Sequence, residues 1–548
     1  MIPSAARVAV GLGYSLETFF ADSPVPRRDR IQLSGLRGEV LSFQVIYRSD
    51  RQGEVGLDVS GALAVLATAR RIDLAHVEHP TYREKPENRI GRAPGFYPDP
   101  LIPNVPWKTY PGQTRGIWFT LPVPRQAPAG RSRLRIRVRT GGRRVAELAA
   151  DVQVVAATLP EQRLKVTHWF YNDCLQSYYG FEAWSAEHWR IAERYLRNAA
   201  GHGVNTILTP VFTPPLDTAV GTERPTMQLV EVEVTGRDEY RFGFRNLEKW
   251  MDLCRRCGMT DFEISHLSTQ WGAKSAPKIV AKVNGRMRRI FGWETRSSGP
   301  EYRKFLLQFL PGLVAVLRRK KALTRAFLHV SDEPQVEHLA DYRAVRDILR
   351  RGAPELPVLD ALSNIEFYRE GAVDRPCPAS NHAQAFLDAR VPHLWTYYCC
   401  GQTDRVSNRF LDFPGARNRI LGWQLHKFGF EGFLQWGFNH WYAGLTGELL
   451  DPYTTADGGR LLPPGDAYVV YPGKDGPVDS IRWEVFREGL QDMRALQLLE
   501  RLAGGTPPGE AARLLALGPI KDMFTYPRSM GWILRQRERV NAEIARRA

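Results

Sequence analysis

Cysteine is scarce in this chain. Six thiols in 548 residues, at Cys174, Cys254, Cys257, Cys377, Cys399 and Cys400, are too few and too scattered for a disulfide framework in a protein of this length. Reduced thiols are the simpler expectation, and with them a cytoplasmic location over a secreted one. The single C-x-x-C, Cys254 and Cys257, falls in the helical stretch 247–257 with no second pair and no histidine at zinc spacing. It reads as helix packing, and neither a metal nor an organic cofactor is expected. Long hydrophobic runs are absent too: no segment approaches the roughly 18 to 20 uncharged apolar residues of a membrane span. The first twenty residues carry only Arg7 ahead of an apolar stretch broken by Glu17, without a small-residue cleavage site, so no secretory signal is expected.

Acidic residues are outnumbered, 59 against 75 Lys and Arg, for a net charge of +16. Such an excess invites nucleic acid as a partner. The arginines are spread along the chain, however, as in Arg70-Arg71, Arg143-Arg144, Arg288-Arg289, Arg318-Arg319 and Arg546-Arg547. No zinc finger, RNA-binding sheet motif or basic heptad accompanies them, so a diffuse positive surface is expected and no nucleic-acid partner.

A hydrophobic content of 43% with 11% aromatics is that of a globular protein, and the length suggests two to four domains, or one barrel plus an extra domain. Residues 1–160 alternate in short segments between Gly, Pro and Asp turns (40–47, 55–59, 116–123, 134–138, 145–155) and predict an N-terminal β-sandwich. The Pro-rich stretch 95–111, with Tyr97, Trp107 and Tyr110, reads as a long ordered loop. From about Leu159-Pro160 onward strands and amphipathic helices alternate. Strands are expected at 164–170, 204–208, 262–265, 326–330, 358–361, 372–377, 393–398 and 432–436, with helices at 186–200, 247–257, 301–318, 336–350 and 417–428. Eight such units predict an α/β fold with a (β/α)8 TIM barrel over residues 161–478, followed by a C-terminal helical extension over 479–548 packed on the barrel.

Within that frame Asp332-Glu333, followed by Pro334, ends the apolar run Ala326 to Val330. An Asp-Glu dipeptide is usually a solvated loop, but strand ends on one face of such a barrel are where catalytic side chains collect. Pro334 is expected to hold Glu333 in an extended backbone. The other strand ends are rich in aromatics and amides: His168, Trp169, Asn205, Trp271, Trp395, Tyr397, Tyr398, Trp436, Asn439 and Trp441. Flat rings interspersed with hydrogen-bonding groups suit a sugar, so these ten are the candidate substrate contacts. Singly, each Trp is more often core packing than a platform.

Two adjacent acids on one segment do not match the usual glycosidase pair, which flanks the scissile bond from separate strands at about 5 to 9.5 Å. They do suit hydrolysis of a 2-acetamido sugar whose own amide oxygen attacks the anomeric carbon. Glu333 is then the expected general acid/base and Asp332 the residue that orients the acetamide.

The runs Phe327 to Pro334, Trp395 to Gly401, Leu434 to Trp441, Tyr471-Pro472-Gly473, Ser480-Ile481-Arg482 and Arg487 to Asp492, together with Glu39 to Tyr47 and Tyr97 to Leu101, resemble glycoside hydrolase family 123. The resemblance spans nearly the whole chain. It implies a β-sandwich before a (β/α)8 catalytic barrel and a retaining β-N-acetylgalactosaminidase working through an oxazoline, with the catalytic pair on Asp332 and Glu333. A tyrosine bonded to the acetamide would fall on Tyr398 or Tyr397. The expected partner is a glycan, glycoside or glycolipid; no oligomer is specified. The competing expectations are a glycosidase for another sugar and a non-catalytic carbohydrate-binding protein.

Overall fold

The computed structural model describes residues 7–504, 509, 513–515 and 517–548. The first six residues of the expected sandwich and part of the expected terminal extension lie outside the described residues. The protein is a mixed α/β structure. Its N-terminal part, joined by two strands from 470–480, builds two sheets. One has seven strands, in the order Val8–Tyr14, Val40–Ser49, Thr114–Pro122, Thr68–Val77, Gly95–Ile102, Gly476–Ser480 and Val470–Gly473. The other has five: Arg30–Arg37, Arg143–Thr158, Gly130–Thr140, Gly53–Ser60 and Trp107–Thr109.

Strand Gly130–Thr140 shows why these sequences form sheets. Leu134, Ile136 and Val138 are buried while Arg133, Arg135, Arg137 and Arg139 between them are exposed, the two-residue period of a strand with one dry face. The dry face joins Leu12, Phe43, Val45, Ile117 and Phe119 of the other sheet in one core. On the wet face Arg133 pairs with Asp151 at 2.6 Å and Arg139 with Asp58 at 2.5 Å. Part of the dispersed arginine is thus spent in cross-strand pairs, each worth about 0 to 1 kcal/mol at an exposed site.

The stretch expected to be a loop at 95–111 is mostly strand. Gly95–Ile102 pairs with Thr68–Val77 on one side and with Asp479 and Ser480 on the other, and Trp107–Thr109 pairs with Gly53–Ser60. A bulge between Ile72 and Leu74 accommodates the prolines, which lack a ladder donor. Asp99 in this strand accepts from Tyr471 Oη at 2.7 Å and Arg482 Nε at 3.1 Å. Three of the sequence motifs, far apart in the chain, therefore meet in one buried anchor.

After residue 160 eight short parallel strands appear where alternation predicts them. They form three groups: Lys165–His168, Gly432–Gln435 and Trp395–Tyr397; Thr206–Thr209, Asp261–Ile264 and Ala326–Leu328; and Leu359–Ala361 with Arg375–Cys377. Single parallel bridges join Leu328 to Val358 and Ala379 to Tyr397. Asn205 links the remaining neighbours: its side chain accepts from Val166 N at 2.8 Å and donates to Leu164 O at 2.9 Å. Helices between them include Ala186–Gly201, Arg245–Arg256, Pro300–Arg319, Leu339–Gly352 and Gly415–Phe428. A four-stranded sheet of two antiparallel hairpins, 231–243 and 279–291, joined by a parallel pairing of Glu233 with Lys282, was not expected. Its second hairpin turns at Asn284-Gly285, both with positive φ, the residue pair that such two-residue turns favour.

Candidate active site

The segment that leaves strand Ala326–Leu328 reaches the acid pair through His329, Val330 and Ser331, all buried. Its route is set by neighbouring strand ends. Asp360 Oδ2 accepts from Val330 N at 2.9 Å and from Tyr342 Oη at 2.6 Å, and Asp360 Oδ1 meets His329 Nδ1 at 3.0 Å. Trp271 N donates to Asp332 O at 2.8 Å, and Glu333 N donates to Ala361 O at 2.9 Å.

Glu333 does not take the extended backbone that Pro334 predicts. Its φ is +45°, in the left-handed region that costs a side-chain-bearing residue roughly 1 to 2 kcal/mol. The hydrogen bonds on either side hold it there. The result is that both acids, and not one alone, line a single cavity of about 290 Å³.

Its walls are Trp169, Trp271, Trp436 and Tyr397, with Leu434, Leu445, Leu461 and Leu462 and the thiols of Cys399 and Cys400. Tyr397 Oη donates to Glu333 Oε1 at 2.5 Å. Trp436 is fixed by its indole N–H, which donates to Asp466 Oδ2 at 2.8 Å. Trp271 is 44% exposed and Leu461 63%, so the lip of the cavity is apolar as well as its wall. Burial first, then the Glu333, Asp217 and Asp360 carboxylates, push the Asp332 carboxyl well above the usual carboxylate range, while His329 pulls the other way. Burial and the neighbouring carboxylates thus oppose ionisation of Asp332 beside Glu333.

Of the twelve residues singled out in the sequence, six meet at this cavity: Asp332, Glu333, Trp169, Trp271, Tyr397 and Trp436. The other six lie elsewhere. His168 packs edge-on against Trp483 and Phe486, because it alternates with Trp169 and points to the opposite side. Asn205 precedes its strand, at the far end from the acids, and bridges two strands there. Trp395 opens its strand and packs on Phe327 and against Gly432. Tyr398 is buried against Phe433, so of the two tyrosines it is Tyr397 that faces the acids. Asn439 binds Tyr171 N and O at 2.9 and 3.0 Å, and Trp441 Nε1 donates to Val470 O at 3.2 Å.

Asp217 is a wall residue that the sequence reading missed. It lies in the loop after strand Thr206–Thr209, accepts from Tyr171 Oη at 2.5 Å, and has its backbone N–H on Gln270 Oε1 at 2.8 Å. Beneath the acids, His266, His329 and Asp360 offer ligand atoms within 4.8 Å of one another. The two imidazoles stack with centroids 4.3 Å apart and planes 16° from parallel. Their in-plane lone pairs run side by side and do not converge as metal ligands must, so the cluster is an ion pair under a ring. A larger cavity of about 490 Å³ lies between the N-terminal sheets and the C-terminal helices, walled in part by Glu39, Arg419, Asp492 and Arg537. Those charges pair with one another.

Adjacent carboxyls within a wall of indole and phenol rings suit a hydrolytic carbohydrate site more closely than any other common chemistry. The sequence profile described as glycoside hydrolase 123, catalytic domain, matches residues 169–499, and the chain belongs to glycoside hydrolase family 123. Among solved structures it is similar to a family 123 glycoside hydrolase from Clostridium perfringens, studied for glycolipid glycan hydrolysis, at 12% identity and a TM-score of 0.74, covering 98% of this chain and 99% of that one. This likeness shows the fold. A β-galactosidase from Marinomonas ef1 matches at 11% identity and a TM-score of 0.35, covering 65% and 62% of the two chains. A Bacteroides ovatus GH5 xyloglucanase matches at 8% and 0.31, covering 89% and 100%. No curated protein sequence matches.

Proposed function

We propose that this glycosidase releases terminal β-linked N-acetylgalactosamine from a glycan or glycolipid, with retention of configuration and with the substrate's acetamide as nucleophile. The observation that carries the reading is that Asp332 and Glu333 share one aromatic-walled cavity. An alternative nucleophile on a separate strand, as ordinary retaining enzymes use, is not needed if the sugar supplies its own. The glycolipid glycan hydrolysis of the Clostridium perfringens family 123 enzyme and the apolar lip of Trp271 and Leu461 support the substrate class.

In the proposed cycle the acetamide N–H donates to the Asp332 carboxylate, and the acetamide oxygen bonds to C1 as the C1–O bond to the aglycone breaks. The departing oxygen takes its proton from Glu333. Glu333 then accepts a proton from water, whose oxygen bonds to C1 from the original face and opens the oxazoline. Two inversions at C1 give retention. One proton and one negative charge are needed at the start; burial and nearby carboxylates raise the Asp332 carboxyl in the free site, and the incoming acetamide N–H favours its anion.

The frame we infer is a (β/α)8 barrel over 161–478 with a β-sandwich before it and helices over 479–548. The parallel pairings, the two single bridges and the Asn205 link support it, since together they connect each of the eight strands to two neighbours. The test of function is a panel of aryl β-glycosides. The reading expects turnover of the β-N-acetylgalactosaminide, NMR detection of the β-hemiacetal first, and Glu333→Gln to lose about a thousandfold or more in kcat. Equal cleavage of a glycoside with a 2-hydroxyl in place of the acetamide would falsify the mechanism.

A further inference from the structure

We propose that Asp217 is the specificity-determining residue of this cavity: its free carboxylate oxygen accepts a hydrogen bond from a ring hydroxyl of the non-reducing sugar, at C3, C4 or C6. The inference rests on the sugar-binding reading above and deepens it. A pyranose that enters the cavity brings hydroxyls as well as its anomeric end. Asp332 and Glu333 are committed to the acetamide and the leaving oxygen. The remaining wall is indole, phenol, thiol, leucine, alanine and glycine, and Asp217 is the third carboxylate.

Its placement is that of a fixed acceptor. Oδ2 takes the Tyr171 hydroxyl at 2.5 Å, the backbone N–H is tied to Gln270 at 2.8 Å, and the backbone carbonyl accepts from Arg224. These bonds hold φ at +50°, a conformation an aspartate tolerates better than most residues but does not prefer. Oδ1 has no protein partner among the described residues. A carboxyl oxygen held rigid and left open beside rings and leucines accepts a hydroxyl; burial raises this carboxyl, while the Arg224 charge and the Tyr171 hydrogen bond favour its ionised form. A site built to bond a substrate hydroxyl also rejects the analogue that lacks it, because the buried acceptor is then unpaired.

The experiment compares the full-length wild type with Asp217→Asn on aryl β-N-acetylgalactosaminide and its 3-deoxy, 4-deoxy and 6-deoxy forms. The wild type should lose about tenfold to a hundredfold in kcat/KM on one deoxy substrate, the usual size of a charge-assisted hydrogen bond. Asp217→Asn should lose a similar factor on the parent but little further on that same deoxy substrate, with the change mostly in KM. Tyr171→Phe, which loosens the carboxylate without removing it, should show the same pattern more weakly and covers the case of an Asp217 variant that does not fold. Equal losses by both variants across all four substrates would reduce Asp217 to a structural role and overturn the proposal, as would no loss at all. A wild type that turns over none of the series sinks the galactosaminidase reading together with this one, whereas an active wild type with uniform variant losses sinks only this one.

Discussion

Tyr397 closes the acid pair from the far side of the cavity: its hydroxyl donates to Glu333 Oε1 at 2.5 Å, from the third strand along from the one that leads to Glu333. Burial, and then the Glu333 charge, push the Tyr397 phenol well above its ordinary value, so it stays a donor throughout the working range. Tyr397→Phe should therefore lower kcat about tenfold to a hundredfold, the loss of roughly 1.5 to 3 kcal/mol expected for a hydrogen bond to a charged group. A kcat equal to that of the wild type would show that the contact does no work in turnover.

Asp332 gives a prediction in two opposite directions. Burial and neighbouring carboxylates raise its carboxyl well above the usual range, so losing its proton costs more in the folded protein than in the unfolded chain. A carboxyl raised in the folded state contributes stability only at acid pH, and costs stability as pH climbs above its unfolded value. Asp332→Asn removes that cost and should raise the stability at pH 7 by about 0.5 to 2 kcal/mol, a common gain when a strained functional group is neutralised. The same change should cut kcat on the 2-acetamido glycoside by about a hundredfold to a thousandfold, as loss of a preplaced electrostatic partner does. Thermal melts and turnover on one preparation test both halves. A variant that loses activity and also melts earlier would contradict the stated charge balance.

Much of the architecture is legible because burial leaves a period. Leu134, Ile136 and Val138 alternate with arginines, and the run Ala326 to Val330 is apolar on both sides, so each announces its strand. The acid pair is legible for the same reason, as polar residues where such a run stops. What the pattern does not contain is the direction of a side chain near a strand end. His168 and Trp169 are neighbours in sequence and face opposite ways; Tyr397 and Tyr398 do the same. Asn205 sits at a strand start and could have been set aside on that ground, since parallel strands put their starts at the end remote from Glu333. Asp217 carries no periodic signal, lying in the loop that begins Thr213-Pro214-Pro215. The left-handed turn at Glu333 runs against the local preference set by Pro334 and exists because Ala361 and Trp271, distant in sequence, supply its hydrogen bonds.

The ion pair beneath the site predicts a weakness at alkaline pH. Burial alone would lower the His329 imidazolium, but hydrogen bonds and charge from Asp360 and Glu263 outweigh it and push the group up to about 10. A histidine raised in the folded state contributes stability that is full below its unfolded value near 6.5 and is lost as pH rises through the folded one. The wild type should thus lose stability steadily between about pH 6.5 and 10. His329→Gln, lower in stability at pH 6, should show a flatter dependence over that interval. Denaturant melts at pH 6, 8 and 9.5 measure it; parallel slopes for the two proteins would mean that His329 is neutral in the fold.

The last prediction concerns the contact that seats the C-terminal helix Ile481–Leu502 on helix Gly415–Phe428. Gly422 and Gly489 face each other with no side chain between them, and a Cβ built on Gly422 would lie 1.8 Å from Gly489 O. Neither helix can yield at that point. Arg419 from the first is bonded to Asp492 at 2.8 Å and Glu488 at 2.7 Å on the second, and Ser480 caps the second by accepting from Trp483 N at 3.1 Å. A methyl group at position 422 must therefore push the helices apart and stretch those buried pairs, which lose most of their worth once the charges separate in a dry interior. Gly422→Ala should destabilise the protein by about 3 kcal/mol, the upper end for overpacking, even though alanine is the better helix former by about 1 kcal/mol. Equilibrium unfolding checks it. A stability equal to or above that of the wild type would mean that the two helices are not locked at this crossing.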